Sequence, residues 1–555
     1  MPCWRERSPR RYPSGGSGGA PVWADLLVER ICEQRTAPYV VNDAWTPSGP
    51  AHVGSLRGVI LHDAIARGLR ERGLPVEFLY GFDDFDPLDG LPPSLPREFY
   101  EPHMGRPLCH VPWHGEDASS FAHHFAREFE STFRATGCDP RTYRTSELYR
   151  SGAFDPALRL ALDRAAEIVA IEREITGSRR AERHPVQVVC EQCGRIGTTV
   201  VLDWDGEQVT YECRPDKVTW AKGCGHRGRR SPFGGGAKLT YRTEWAAKWA
   251  LFGVKVEGAG KDHMTRGGSH DTASVVARRI FGVEVPFPIP YEFFLVGGKK
   301  MASSRGGVSA RELLEVLRPE LVRFLVVRAY YRTAINFDPS GETVPRLYDE
   351  YDRAAAAYFG ELPARTPGEA QDVRDLARTF HYAWVKPTPP RPFVRPRFSK
   401  VAFWVQMPHV RVEEQVAKEK GAALTEADRE ELRARVEDAR RWLQRWAPPQ
   451  YRIAVRENLP PEVSRLTPAQ RDLLAHLADR LEGGELEAEA IQTTLHALRA
   501  ELGLSAREAF AAVYLAFLGK ESGPQAGALL AALGREFVLR RLREASGRQP
   551  VRHVP

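Results

Sequence analysis

The stretch YVVNDAWTPSGPAHVGSLRGVILHDAIARGLRERGLPVEFLYGF, residues 39–82, decides the fold. It opens on an apolar run, YVV (39–41), and passes through a loop rich in Pro, Ser and Gly. From about Ser55 to Arg72 the apolar residues Leu56, Val59, Ile60, Ala64 and Leu69 recur at helical spacing, and Gly73 stands where a C-cap belongs. VEFLYGF (76–82) then reads as a second strand. Strand, loop, helix and strand in that order predict a βαβ unit, hence a parallel sheet with a right-handed crossover.

Working outward, WADLLVERICEQR before the unit reads as a helix, and the alternation resumes at VKVEGAG (254–260) and YEFFLVGG (291–298). Residues 186–231, between these pieces, therefore read as an insertion within one Rossmann-like α/β domain spanning 21–330. After about 309 the pattern turns helical, and residues 331–400 form a helical stem ending in the proline-rich connector VKPTPPRPFVRPRFSK (385–400). Residues 401–555 are expected to be an α-helical domain. Residues 1–20, mostly Pro, Gly, Ser and Arg, carry too little apolar content to fold and are expected to be a disordered basic tail.

Composition bounds the function. At roughly 100–200 residues per domain, 555 residues imply several domains. Apolar residues at 42% and charged ones at 27% exclude wholesale disorder and fibre. No apolar run reaches the ~18 residues of a membrane span, and no secretory h-region follows the N-terminal arginines, so a cytoplasmic protein is expected. A net charge of +7 is a mild lean toward an anionic partner.

Two loops carry the chemistry. Thr46-Pro47-Ser48-Gly49-Pro50-Ala51-His52-Val53-Gly54 lies between the first strand and its helix, where a helix N-terminus offers free N–H groups to anions. Gly54 lets a nucleotide approach the backbone, and His52 can donate to phosphate oxygens; a proline-rich turn with a capping histidine is the plainer alternative. GGKKMASSRGG (297–307) follows a strand and precedes the helix ARELLEVLRPE. Its Lys299, Lys300, Arg305, serines and glycines suit a triphosphate whose charge shifts during reaction, against the alternative of a basic surface loop.

Of eight cysteines, Cys190, Cys193, Cys213 and Cys224 fall within 35 residues. Cys190-Glu-Gln-Cys193 is a knuckle, and four thiolates would close a structural Zn²⁺ site with no position for a catalytic water. The ten residues between Cys213 and Cys224 exceed a normal knuckle, so His226 is an alternative ligand; four reduced thiols in a small β insertion are the other reading.

With these motifs in place the chain resembles a known family. HVGS, preceded by TPSG, resembles the His-Ile-Gly-His signature of class I aminoacyl-tRNA synthetases, and KMASS resembles their Lys-Met-Ser-Lys-Ser loop. YGFDDFDPLDG (80–90), TEWAAKWALFGV (243–254), EGAGKDH (257–263), IPYEFFLVGGKKM (289–301), LRPELVRFL (317–325) and segments at 466–481 and 512–533 narrow the resemblance to class I lysyl-tRNA synthetase. Departures are Ser55 in the histidine motif, and Ala302 and Ser303 in the lysine motif.

The resemblance implies a ligase that activates L-lysine with ATP and Mg²⁺ to lysyl-adenylate and passes lysine to the 3′ end of tRNA(Lys). No membrane and no obligate protein partner are expected. It implies catalytic roles for His52, Gly54, Lys300 and Ser304. ATP would be held by Pro47, Ser48, Gly49, His52, Gly54, Lys261, Asp262, Lys300, Ser303, Ser304 and Arg305. Lysine would be held by Thr46, Trp245, His263 and Tyr291, with Glu244 first and Asp84 next at the ε-ammonium. Residues 401–555 would bind the anticodon. Arg440, Arg441, Trp442, Arg445 and Trp446 there suit RNA, or equally a solvated helix with core-facing tryptophans. A glutamate-charging relative would instead want arginines near Thr46 and Trp245.

Overall fold

The computed structural model describes residues 22–177, 184–296, 309–407, 410–483 and 486–547, together with the backbone of Lys299–Lys300. The expected tail, residues 1–20, lies outside the described residues. Two compact units emerge, Met1–Phe337 with Arg353–Thr388, and Asp338–Asp352 with Pro389–Pro555.

The first unit starts with helix α1 (Trp23–Gln34), strand β1 (Tyr39–Trp45), helix α2 (Val53–Glu71) and strand β2 (Val76–Phe82). β1 and β2 pair in parallel from Tyr39 opposite Val76 to Trp45 opposite Phe82, the expected βαβ unit. Helix α3 (Phe121–Ala135) and strand β3 (Arg141–Arg144) follow, and β3 extends the sheet beside β2. Much later come helix α4 (Tyr241–Phe252), strand β9 (Val256–Gly260) and strand β10 (Phe287–Tyr291). The strand order is β10-β9-β1-β2-β3, parallel throughout, which is a Rossmann-like doubly wound sheet. The order reverses at β1, so the crevice beyond the carboxyl ends of β1 and β9 is where such a sheet binds its ligand.

Helix α2 differs from its sequence reading in an instructive way. It begins at Val53 rather than near Ser55, because His52 caps it. It is also buried well beyond one apolar stripe, since Arg57, His62 and Asp63 are almost completely covered. Each has partners that make burial tolerable. Arg57 donates to the carbonyls of Glu292, Phe293, Tyr331 and Thr333 at 2.7–3.1 Å. Asp63 accepts from Arg323 and from Arg67, the latter at 2.7 Å.

The insertion is built of short antiparallel strands and runs on to Leu239 rather than ending at 231, because its first strand pairs with Ala237–Leu239. β4 (Val186–Val188) pairs with β8 (Ala237–Leu239), while β5 (Thr199–Trp204), β6 (Val209–Cys213) and β7 (Arg227–Arg230) form a separate three-stranded sheet. β8 runs directly into α4, so the insertion is fastened to the parallel sheet's own helix layer.

After β10, Phe294–Val296 pairs in parallel with Ile335–Phe337 and antiparallel with the backbone of Lys299–Lys300. The second unit is mainly helical. Leu473, Leu477, Ile491, Leu495, Val513, Phe517 and Leu530, from helices between Pro468 and Ala532, meet in one core. Residues 385–397 carry no helix or strand, as the proline content predicts. Trp442 is fully buried and its indole N–H reaches the Pro339 carbonyl at 3.3 Å, so of the two readings for that helix Trp442 takes the core-facing one.

Candidate active site

A cavity of about 490 Å³ opens at the switch point, lined by the ends of β1, β9 and β10, the N-terminus of α2, and α4. His52 is the N-cap of α2, and its Nδ1 accepts from the Gly54 N–H at 3.0 Å. With Nδ1 accepting, the neutral ring carries its proton on Nε2, which makes that edge a donor. A Cβ on Gly54 would lie 2.7 Å from His52 Cε1, so the glycine is needed for the ring's position as well as for ligand approach.

The second loop returns to the same place. Ser309 forms an antiparallel bridge with His52, and the Ala310 N–H donates to the Ala51 carbonyl at 2.7 Å. The chain that leaves the sheet through Lys299–Lys300 therefore re-enters described structure against the histidine turn. The side chain of Lys300, and Ser303, Ser304 and Arg305, lie outside the described residues.

Of the other residues expected at the nucleotide, Ser48 and Asp262 line the cavity. Pro47 and Gly49 are buried in the loop, where a Cβ on Gly49 would lie 2.6 Å from Pro92. Lys261 pairs with Glu292 at 2.8 Å and lies over the Phe293 ring at 4.6 Å.

Thr46, Trp245, His263 and Tyr291, expected around the amino acid, all line the cavity. Thr46 donates to Asp86 at 2.9 Å, and the Trp245 indole donates to Glu257 at 2.9 Å. The His263 ring stands edge-on to Trp245, with centroids 6.1 Å apart.

The two carboxylates expected at the ε-ammonium are elsewhere. Asp84 is engaged by Ser146 N–H at 2.8 Å, Ser146 Oγ at 2.6 Å and Thr145 Oγ1 at 3.2 Å, holding the start of the helix Thr145–Arg150. Glu244 accepts from Tyr149 Oη at 2.6 Å and pairs with Lys238 at 3.2 Å and Lys248 at 3.5 Å. Both are buried and lie outside the cavity lining, so each is spent on the protein itself. In sequence they sit among polar neighbours that look like a binding site. For Asp84 the pairing is long-range and has no local signal, whereas Glu244 has Lys248 one helical turn on and Lys238 six residues back.

Glu244 belongs to a buried charge cluster under the cavity. Among the described residues, Asp83, Asp86 and Glu244 meet two cations, Lys238 and Lys248. Burial, aided by Glu244 and Asp86, outweighs Lys248 and holds the Asp83 carboxyl up at about 6. The floor of the site thus sets three carboxyl groups against two lysines.

The lining itself is acidic. Asp43, Asp83, Asp89, Glu257, Asp262 and Glu292 face the cavity, Lys248 is its cation among the described lining residues, and no arginine is among them. Glu257 accepts from Asn42 Nδ2 at 2.6 Å and from the indoles of Trp245 and Trp249, while burial lifts its carboxyl to about 7. Asp43, Asp83 and Glu257 were missed in the sequence. The available signal was a carboxylate inside an otherwise apolar strand, VVNDAW and VEGAG.

In the insertion, the four sulfurs of Cys190, Cys193, Cys213 and Cys224 lie within 4.8 Å of one another. Sγ atoms of Cys190 and Cys224, and of Cys193 and Cys213, are 3.7 Å apart, close to the ~3.8 Å edge of a tetrahedral thiolate site with metal–sulfur bonds of about 2.3 Å. The long gap before Cys224 folds back on itself. A Cβ on Gly223 would lie 2.3 Å from the Arg214 carbonyl, and the Cys224 N–H points at Cys213 Sγ at 3.4 Å. His226, the alternative ligand, stands outside the cluster, its ring 5.9 Å from that of Tyr211.

Residues 21–386 match the family described as tRNA synthetases class I (K), and residues 452–546 match an anticodon binding domain. Over 550 residues the chain is 32% identical to a lysine–tRNA ligase of Methanosarcina barkeri, covering 95% of this chain and 98% of that one. It is 32% identical over 538 residues to the lysine–tRNA ligase of Methanocaldococcus jannaschii, covering 94% and 99% of the two chains. The same two coverages accompany 33% identity to the lysine–tRNA ligase of Pyrococcus horikoshii. A doubly wound sheet with a histidine-capped helix at its switch point, and likeness along nearly the whole length, place the chain in one family: it belongs to the class I (K) tRNA synthetases.

Proposed function

We propose a division of labour for the reaction this chain carries out, the ATP-dependent ligation of lysine to tRNA. The amino acid lies in the acidic part of the cavity, bounded by Thr46, Trp245, His263 and Tyr291. Its carboxylate attacks the α-phosphorus of ATP, and pyrophosphate leaves. The 3′-terminal hydroxyl of the tRNA then takes the lysyl group from the adenylate. In-line displacement at phosphorus depends on positioning and charge neutralisation rather than on covalent help.

His52 donates from Nε2 to a phosphate oxygen, held in that orientation by the Gly54 N–H. The α2 N-terminus adds its free N–H groups and partial positive charge. Ser48, Gly49 and Gly54 border the nucleotide, with Pro47 shaping the turn and Lys261 and Asp262 on the β9 side. Lys300, Ser303, Ser304 and Arg305 neutralise the departing pyrophosphate from the loop that ends against His52. Mg²⁺, arriving with ATP, supplies further neutralisation of the phosphates.

The observation that carries lysine as the substrate is the charge of the site. Six carboxyl groups, with Lys248, face a cavity whose lining holds no arginine among the described residues. A cationic side chain relieves that charge, whereas a glutamate side chain would add to it. Residues 401–555 bind the anticodon stem, and 21–330 with the stem 331–400 carry the chemistry. The four thiolates would hold one structural Zn²⁺ and leave no place for a catalytic water. The protein works in the cytoplasm with tRNA(Lys) as its macromolecular partner.

The test is charging of total tRNA with each of the twenty radiolabelled amino acids in ATP and Mg²⁺. Selective attachment of lysine is expected. Selective attachment of another amino acid would overturn the reading.

A further inference from the structure

Among the carboxylates that line the cavity, all but one are accounted for by exposure, by a cation or by a full set of donors. Asp83 is paired with Lys248, and Glu292 with Lys261 at 2.8 Å. Glu257 accepts from three N–H groups, those of Asn42, Trp245 and Trp249. Asp89 and Asp262 are exposed. Asp43 is the exception: it is 7% exposed, sits at the carboxyl end of β1, and faces no lysine or arginine among the described residues.

Its two contacts are neutral. Oδ1 accepts from the Ala44 N–H at 2.9 Å, and Oδ2 lies 3.4 Å from His62 Nδ1. His62 Nε2 accepts from the Gly258 N–H at 2.7 Å, so its proton is on Nδ1, which is 2.8 Å from the Gly58 carbonyl. Burial holds the imidazole below its ordinary range, and the ring is therefore uncharged at neutral pH. Burial likewise pushes the Asp43 carboxyl well above its ordinary range, with Asp83 adding to the effect.

Beside Asp43 the helix leaves room for a second polar tip. A Cβ on Gly58 would meet Tyr291 Oη at 2.7 Å and Asp43 Oδ2 at 2.9 Å, so the tips of both side chains converge where Gly58 has none. Gly58 is six residues along α2 from the His52 cap, about 9 Å at 1.5 Å per residue, comparable with the reach of an extended lysine from carboxyl to ammonium.

We infer that Asp43, with Tyr291 Oη beside it, is the acceptor for the ε-ammonium of the lysine substrate and the residue that selects lysine over neutral side chains of the same length. The inference rests on the function proposed above and names the contact that gives its specificity. The ammonium donates to Asp43 Oδ2 and Tyr291 Oη, and the aromatic faces of Tyr80 and Trp245 line the way in. A neutral chain in this place would leave a buried carboxylate without a counter-charge.

The test is steady-state charging by the full-length protein, wild type and Asp43→Asn, with lysine and with norleucine, which lacks only the charged end. Asp43→Asn should raise the KM for lysine at least about a hundredfold, leave the KM for ATP within threefold, and narrow the preference for lysine over norleucine by a similar factor. Asp43→Glu keeps the charge and carries it one methylene into the cavity, so it should move the preference toward ornithine. This second variant also tests the contact should the asparagine variant fail to fold. A folded Asp43→Asn with unchanged lysine KM, or Asp43→Glu with the wild-type ratio of lysine to ornithine, would overturn the inference while leaving the ligase reading intact. A wild-type protein that charges no lysine would overturn both.

Discussion

Replacing Lys248 by methionine removes one of the two cations that, among the described residues, serve the buried Asp83 and Glu244 and the half-buried Asp86. The methionine fills nearly the same volume, so the loss is chiefly of charge. Glu244 keeps Lys238 at 3.2 Å and the Tyr149 hydroxyl, whereas Asp83 keeps no cation. Stripping the partner from a buried charge costs about 3–5 kcal/mol. At ~2.1 cal/mol/K per residue, a unit built from residues 1–337 and 353–388 has an unfolding entropy on the order of 0.8 kcal/mol/K, so Tm should fall by about 5 °C. The pH dependence has a definite sign. Asp83 already holds its proton to about 6, above the ordinary aspartate value, so the folded state binds the extra proton and loses stability as pH rises through that range. Losing Lys248 raises this carboxyl further. The deficit relative to wild type should therefore be largest near pH 8 and shrink toward pH 5. Tryptophan fluorescence during heating is a suitable probe, because Trp245 and Trp249 flank Lys248 on the same helix. Adding Asp83→Asn removes the stranded carboxylate and should recover at least about 2 kcal/mol. Equal losses at pH 5 and pH 8, with no recovery in the double variant, would refute the charge argument.

His52→Ala should slow adenylate formation by about a hundredfold or more, the usual cost of one oriented donor, and reduce stability by about 1 kcal/mol through the lost cap. Single-turnover release of pyrophosphate separates these effects, and an unimpaired rate would remove His52 from the chemistry. Metal analysis should find one zinc per chain, and Cys213→Ser should lose it together with several degrees of Tm; a metal-free wild-type protein of full stability would contradict the assignment. Glu71, bound by His381 and Arg378, is held down to about 2. Its stabilisation is present above the ordinary glutamate value and lost as pH falls through 2. Glu71→Gln should cost about 1 kcal/mol at pH 7, reduced because the group is partly solvated, and nothing near pH 2 in urea titrations.

The parallel sheet was legible because a βαβ unit is written locally. VEFLYGF became β2 at the residues expected, and the turn before α2 delivered His52 to its N-terminus. The four cysteines were legible for the same reason, since short strands bring them together from within 35 residues. The ε-ammonium contact was not. Choosing among Asp43, Asp83, Asp84, Glu244 and Glu257 depends on which carboxylates the fold neutralises. Several of the groups that satisfy them come from far along the chain: the Lys248 ammonium for Asp83, and the neutral donors Tyr149 for Glu244 and Asn42 for Glu257. Nothing local marks Gly58 either, because the room it leaves is taken by the tips of Asp43 and Tyr291.

Lys238 sits on β8, the last strand of the cysteine-bearing insertion, yet its ammonium reaches Asp86, which in turn holds Thr46 at the cavity wall. The insertion is thus no removable ornament. Any descendant that trimmed residues 186–239 to a short loop would lose Lys238 along with the four-cysteine cluster. The cysteine cluster and the wall of the cavity are therefore tied through a single side chain. Circular permutants or minimal catalytic cores of this chain should be cut elsewhere.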